Sequence, residues 1–273
     1  MSNIQAFILG LVQGLAEFLP ISSSGHLTLL QMFFGIEEAP LALDILLHLG
    51  TLAAVLVVYR ERIWDMICHP LDSDLKWLVL ATIPAVLAAL FLDDWIDKLF
   101  AGNFLGLSFL LTSFVLILGE TINRLRAKCH RHVRWFDALI MGCAQAVAIA
   151  PGLSRSGCTI SAGMASGLSR KSAADFSFLM SIPAILGSAV LSLKDIYDAS
   201  LMSGQSFGAE FAALVNQMGG AVPILVGVVT AAVAGFLAIK LMLLIVKQIG
   251  IRWFALYTFL LGAILIARQV LSL

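Results

Sequence analysis

Charge is what this sequence has least of. Only 12% of its 273 residues are Asp, Glu, Lys or Arg, against about a quarter in ordinary soluble domains. The 17 basic and 17 acidic side chains cancel, which removes any general polyanion-binding surface and with it a nucleic-acid partner. Cysteine is scarce too. Cys68, Cys129, Cys143 and Cys158 stand singly, without the paired spacing of a zinc site or a disulfide framework, so unpaired thiols are expected. The first residues, MSNIQAFILGL, carry no basic stretch and no small-residue cleavage site, and no removable signal peptide is expected.

What fills the chain is apolar. Hydrophobic residues make up 60% of it and the mean hydropathy is +0.98, which marks a polytopic membrane protein. A membrane-crossing helix needs about 20 apolar residues. Six stretches near that length are expected to span: Leu41 to Tyr59, Trp77 to Leu92, Phe104 to Thr121, Ala173 to Leu193, Val222 to Val246 and Trp253 to Val270. Pro84, Pro183 and Pro223 fall inside them and should kink them. Trp64, Trp77, Trp95, Trp135 and Trp253 fall near span ends, as interfacial anchors do. Asp44 and His48, near the start of the first span, read as a local pair or a cavity lining.

Two further apolar regions, Ile4 to Phe34 and Phe136 to Leu168, are each cut by a hydroxyl- and glycine-rich loop, PISSSGH in one and PGLSRSG in the other. Each reads as two half-helices around a break. Laid over one another, LGLVQGLAEFLPISSSG and MGCAQAVAIAPGLSRSG match Gly10 with Gly142, Gln13 with Gln145, Ser22 with Ser154, Ser24 with Ser156 and Gly25 with Gly157, always 132 residues apart. Chance agreement is common among small apolar residues, but these matches cluster on the polar break. An internal duplication is therefore expected, with repeats of about 1–122 and 136–273 inside one membrane domain, 1–273.

Basic segments orient the chain. ETINRLRAKCHRHVR from Glu120, YRER from Tyr59, and Lys247 with Arg252 should be cytoplasmic; Glu37 and Glu38, DDWIDK from Asp93, and the acidic loop Lys194 to Glu210 should lie outside. Arg170 and Lys171 read as cytoplasmic anchors. The alternation closes only if each broken region returns to the side it entered from, the first from outside and the second from the cytoplasm. The expected fold is an all-α polytopic membrane protein with an inverted-topology repeat: two re-entrant helical hairpins plus six transmembrane helices, the broken loops facing one another.

A charge at mid-bilayer costs at least about 2.5 to 3.5 kcal/mol on insertion scales. Glu17 and Arg155 both bear that cost. They can neutralise each other as a structural ion pair, but Ser22, Ser23, Ser24, Ser154, Ser156 and Thr159 supply more hydroxyls than one pair uses. With two half-helix N-termini, whose free N–H groups favour anions, these residues describe an oxyanion pocket. The planar fork of Arg155 suits phosphate. Gln13 lies four residues before Glu17 on one helix face, so its amide oxygen and the carboxylate can share a hard divalent ion with phosphate oxygens. His26 alone would be a helix cap; in this company its imidazole can relay a proton or attack phosphorus.

QGLAEFLPISSSGH and PGLSRSGCT resemble the two signature motifs of the undecaprenyl-diphosphate phosphatases, the integral membrane family associated with bacitracin resistance. The similarity continues through LHLGTLAAV and DFSFLMSIPAILG over nearly the whole chain, although Gln13 stands where many members carry a carboxylate. The resemblance implies hydrolysis of undecaprenyl diphosphate to undecaprenyl phosphate and inorganic phosphate, recycling the lipid carrier of cell-wall synthesis. It implies a multi-pass protein of the bacterial inner (plasma) membrane, a site opening to the outer face, and a divalent cation, Mg or Ca. By motif position it gives functional roles to Glu17, Ser23 and His26 in the first loop and to Ser154, Arg155 and Thr159 in the second. The partners it implies are the polyprenyl diphosphate lipid and the bilayer, with a homodimer left open.

Two choices stay open at this point. Ser23 as nucleophile would make His26 its base, whereas His26 as nucleophile would leave Ser23 a phosphate donor. A transporter or flippase for a phosphorylated lipid or anion would use the same broken-helix site, but it needs no base beside a guanidinium. A purely structural scaffold leaves the intramembrane charges without a purpose. The charge alternation predicts both termini outside and 126–134 cytoplasmic. A cysteine placed at position 130 in a cysteine-free background should resist an impermeant thiol reagent on intact cells; strong external labelling there would reverse the assignment.

Overall fold

A computed structural model describes residues 1–36, 41–91, 104–125 and 132–271. Within them lie twelve helices and no strand. In chain order they are α1 (Asn3–Phe18), α2 (Ser23–Phe33), α3 (Leu41–Val58), α4 (Arg60–Cys68), α5 (Leu75–Phe91), α6 (Leu105–Leu125), α7 (Trp135–Val147), α8 (Arg155–Ser166), α9 (Arg170–Ser203), α10 (Phe207–Gln217), α11 (Ala221–Gln248) and α12 (Arg252–Leu271). Glu37, Glu38, the segment from Asp93 with Trp95, and 126–131 with Cys129 lie outside the described residues. Cys68, Cys143 and Cys158 are free thiols.

Both apolar regions with polar interruptions are pairs of helices around a break. α1 opens on a capping box, in which Ser2 Oγ accepts from the Gln5 N–H at 3.2 Å and Gln5 Oε1 accepts from the Ser2 N–H at 2.7 Å. It stops at Leu19, which is extended, as the residue before a proline prefers. α2 restarts the chain with Ser22 Oγ accepting the Gly25 N–H at 3.2 Å. At the second break Ser154 Oγ caps α8 by accepting the Gly157 N–H at 3.0 Å. The same Ser-x-x-Gly device closes both breaks.

All six expected spans are helical, as α3, α5, α6, α9, α11 and α12. Four described helices, α6, α9, α11 and α12, are long and apolar enough to cross a membrane, and α3 with α4 makes a fifth candidate, bent by 75°. α5, at 17 residues, is a shorter apolar helix. The chain is a multi-pass membrane protein.

Two expectations need correction. Lys194 to Glu210 is not one loop: α9 runs 34 residues, about 51 Å at helical rise, before Gly204 ends it at φ 69°, and α10 follows. No proline interrupts α9 after Pro183, and a Lys194–Asp198 pair at 3.3 Å supports its last turns. Pro223 falls in the first turn of α11, where its missing N–H leaves no helical bond unmade, so it does not interrupt that span. Pro84 and Pro183 do sit inside α5 and α9.

Small residues let the backbones approach closely. α1 packs on α11, where Gly10 lies against the Gly227 carbonyl, and α7 packs on α5, where Gly142 lies against the Ala81 carbonyl. α6 and α12 meet through Gly106 and Gly262, each against the other's carbonyl oxygen. Away from these seams Glu120, only 1% exposed, binds Arg124 on its own helix at 3.3 Å and Arg170 on α9. Arg170 therefore ties two helices together. Gly10→Ala and Gly142→Ala should each cost about 1–3 kcal/mol by overpacking a backbone contact, seen as a lower unfolding temperature in detergent. Gly187→Ala, where a Cβ meets open space, should leave that temperature unchanged or raise it.

Candidate active site

The two breaks meet. Glu17, in the last turn of α1 and 7% exposed, accepts from Arg155 Nη2 at Oε1 over 2.6 Å. Ser156 Oγ donates to the Leu19 carbonyl at 3.1 Å, a second bond between the breaks. Four groups converge on the carboxylate from four helices. Beside Arg155 of α8, Ser23 Oγ at the start of α2 donates to Oε2 at 2.6 Å, Gln13 Nε2 of α1 donates to Oε2 at 3.2 Å, and His48 Nε2 of α3 lies 3.4 Å from the same oxygen. These bonds replace the hydration that a carboxylate loses on burial.

Arg155 is divided between two tasks. Nη2 holds Glu17, and Nη1 donates to the Ser177 carbonyl of α9 at 3.1 Å. The ion pair that the sequence offered as one reading is therefore formed, and both terminal nitrogens of the fork are engaged. These bonds use two of its five N–H groups. Thr159 stands beneath, its Oγ1 donating to the Arg155 carbonyl at 2.8 Å and lying 2.6 Å from Ser177 Oγ. Ser154 is fixed by its N–H, which donates to Thr112 Oγ1 of α6 at 3.2 Å. Ser22 and Ser24 lie with their hydroxyl oxygens 3.5 Å apart. By helix geometry the first-turn amides of Ser23, Ser24, Arg155 and Ser156 have no intrahelical acceptor.

His26 does not face Ser23. Its Nδ1 donates to the Ser22 carbonyl at 2.7 Å, and its Nε2 lies 2.7 Å from Tyr257 Oη on α12. Ser22 is the one non-glycine among the described residues with positive φ, 71°, a backbone state that costs a few kcal/mol at most and persists where its surroundings demand it. Its twist directs the carbonyl back at the imidazole. The Ser23–His26 pairing that a serine nucleophile with a histidine base would use is absent, and the Ser23 proton goes to Glu17.

The geometry adds residues that the motifs did not carry. Ser177 of α9, Thr112 of α6 and Tyr257 of α12 come from remote helices, and nothing in their local sequence distinguishes them from other polar groups in spans. His48 had a signal, the Asp44–His48 spacing, but the pairing differs from a side-chain pair: His48 Nδ1 donates to the Asp44 backbone carbonyl at 2.6 Å. That leaves Nε2 turned to Glu17. Asp44 accepts instead from Gln31 Nε2 of α2 at 2.9 Å.

For a cation, no group of three or more His, Cys, Asp or Glu gathers at binding distance among the described residues. The hard oxygens present are those of Glu17 and Gln13. Gln13 is fully buried, and its Oε1 has no hydrogen-bond partner, an unsatisfied carbonyl oxygen one helical turn from the carboxylate. The amide turns Nε2, not Oε1, toward the carboxylate, so the two residues would share a cation only with the Gln13 amide reversed and Glu17 released from one of its present donors.

Comparison with known proteins covers almost the entire chain. The family model described as "Bacitracin resistance protein BacA" matches residues 6–264. "Undecaprenyl-diphosphatase" of Carboxydothermus hydrogenoformans is 41% identical over 270 residues, 98% of both chains. "Undecaprenyl-diphosphatase 4" of Bacillus thuringiensis is 37% identical over 270 residues, again 98% of both, and "Undecaprenyl-diphosphatase" of Caldicellulosiruptor bescii is 37% identical over 281 residues, 99% of both. With both breaks and the residues around Glu17 inside the matched region, the chain belongs to the bacitracin resistance protein BacA family.

Proposed function

We propose that this protein hydrolyses undecaprenyl diphosphate to undecaprenyl phosphate and inorganic phosphate, in a bacterial inner membrane, from a site opening to the outer face. The observation that carries the reading is the Ser23 hydroxyl, held 2.6 Å from a buried carboxylate that is itself paired to Arg155. The proton of this serine already points at its acceptor. Ser23 Oγ attacks the terminal phosphorus, the bond to the bridging oxygen breaks, undecaprenyl phosphate leaves, and the serine proton passes to Glu17. Water then attacks the phosphorus of the phosphoserine, the Ser23 Oγ–P bond breaks, Glu17 returns its proton to Oγ, and inorganic phosphate leaves carrying the oxygen and protons of the water. Arg155 and the free amides of Ser23, Ser24, Arg155 and Ser156 oppose the charge on the equatorial oxygens, with Ser22, Ser154, Ser156 and Thr159 holding the two breaks in shape. A divalent cation, Mg or Ca, would be held by Glu17 and, with its amide reversed, by Gln13, and would neutralise diphosphate charge.

The finer architecture belongs to the same proposal. One domain, 1–273, contains repeats of about 1–122 and 136–273 in opposite orientation, each a re-entrant hairpin followed by three spans, six in all. The crossed packing of α1 on α11 and α7 on α5 supports it: the hairpin of each half leans on a helix of the other, through Gly10 and Gly142, glycines that match in the repeat alignment. Two copies forming a homodimer are compatible with the broad apolar surfaces of α11 and α12. A second reading is movement of the phosphorylated headgroup between faces by the same broken-helix site.

Purified protein in detergent should release phosphate from a polyprenyl diphosphate and lose that activity to a chelator. No release under any metal condition would sink the enzyme reading and leave the transport one. Arg155→Lys keeps the charge and loses the planar fork, so turnover should fall at least about 100-fold while solubilised yield and unfolding temperature stay near wild type. Near-normal turnover with poor yield would make the Glu17–Arg155 pair a structural one.

A further inference from the structure

His26 is held from two sides, and only one of them lies in its own loop. The Ser22 carbonyl can only accept, so the Nδ1 that lies 2.7 Å from it carries a hydrogen. In the neutral ring the lone pair is then on Nε2. That nitrogen lies 2.7 Å from Tyr257 Oη, close enough for the phenol O–H to donate into it. The two rings stack, with centroids 5.7 Å apart and planes within 13°, while Phe109 of α6 meets the imidazole edge-on at 5.2 Å and 87°. Ring plane, tautomer and lone-pair direction are thus set by three helices, α2, α6 and α12. Tyr257 lies on α12, 231 residues further along the chain.

We propose that Tyr257 is the positioning residue for His26: its phenol fixes the imidazole in plane and tautomer, with Nε2 as the acceptor nitrogen. This rests on the reading of His26 as part of a phosphatase site. Tyr257 touches neither the carboxylate nor the first-turn amides, so it acts through His26. Two chemical consequences follow. Removing the hydroxyl while keeping the ring leaves the stack but frees Nε2 to rotate away or bind water. Removing the ring as well loses the plane, so a leucine must be worse than a phenylalanine.

The test uses the full-length protein in detergent. Tyr257→Phe should lower kcat about 3- to 10-fold, the range of one lost hydrogen bond, with KM for the polyprenyl diphosphate unchanged, and Tyr257→Leu should lower it further. In a His26→Ala background, where residual turnover is followed over long incubation, Tyr257→Phe should add nothing. The ¹⁵N resonance of the acceptor-type nitrogen of His26, assigned by its loss in His26→Ala, should move in Tyr257→Phe without any substrate present. An unchanged kcat in Tyr257→Phe overturns the proposal, whether or not the resonance moves. An equal loss in both backgrounds also overturns it, because Tyr257 would then act on substrate and not through His26. If the wild-type protein hydrolyses no polyprenyl diphosphate, the phosphatase reading fails by itself, and the nitrogen resonance still decides whether Tyr257 holds the imidazole: no shift in Tyr257→Phe refutes that hold.

Discussion

The contact between Glu17 and Arg155 is the interaction on which the rest of the site depends. A carboxylate and a guanidinium persist in a membrane interior only when each compensates the other and their remaining hydrogen-bonding capacity is met. Here the compensation draws on both halves of the chain. Gln13, Ser23 and His48 complete the carboxylate, and the Ser177 carbonyl takes the free end of the guanidinium. Losing either partner would leave a buried charge with no counterpart, so the pair also fixes how the two breaks sit against one another.

A break in a helix is expensive in lipid, because its amides and carbonyls have no water to turn to. Two answers are visible. Ser22 and Ser154 return one hydroxyl each to the first turn of the following helix, and Ser156 and Thr112 cross to a backbone group of the opposite element. The other amides at these helix starts stay without intrahelical partners, and that is what makes the breaks useful to an anion. The glycine seams are what bring the short helices in close enough for this exchange.

The two candidate groups of the first break divide in space. Ser23 belongs with Glu17 and Arg155, whereas His26, three residues later, belongs with Tyr257 and Phe109. A helix rotates about 100° per residue, so three residues apart are near neighbours on one face, but their side chains are drawn to different helices. In this arrangement Glu17 accepts from the serine, while both imidazole nitrogens are engaged, one by the Ser22 carbonyl and one by Tyr257. The serine–histidine contact on which one reading of Ser23 depended is not made.

Much of the architecture was legible in the sequence, for a physical reason: lipid imposes a length and a polarity on any crossing helix, and a hydroxyl- and glycine-rich interruption in such a stretch frees backbone groups that only a polar cavity can satisfy. Glu17, Arg155 and the serines stood out because their burial has a known cost. The overreach came where local rules are weak. Lys194 to Glu210 looked polar enough for a loop, yet the helix runs on to Ser203 and a new one starts at Phe207, and Pro223 looked internal to a span until the helix start placed it in a first turn. Composition, periodicity and motif thus determined by themselves a multi-pass helical membrane protein with two broken helices and the charged groups at them. Only the tertiary structure decided which group each side chain meets: that the Ser23 proton goes to Glu17, that His48 turns Nε2 toward the same carboxylate, and that Tyr257 reaches His26. Those choices depend on how helices far apart in sequence lie against one another, and a spacing within one helix carries no record of that.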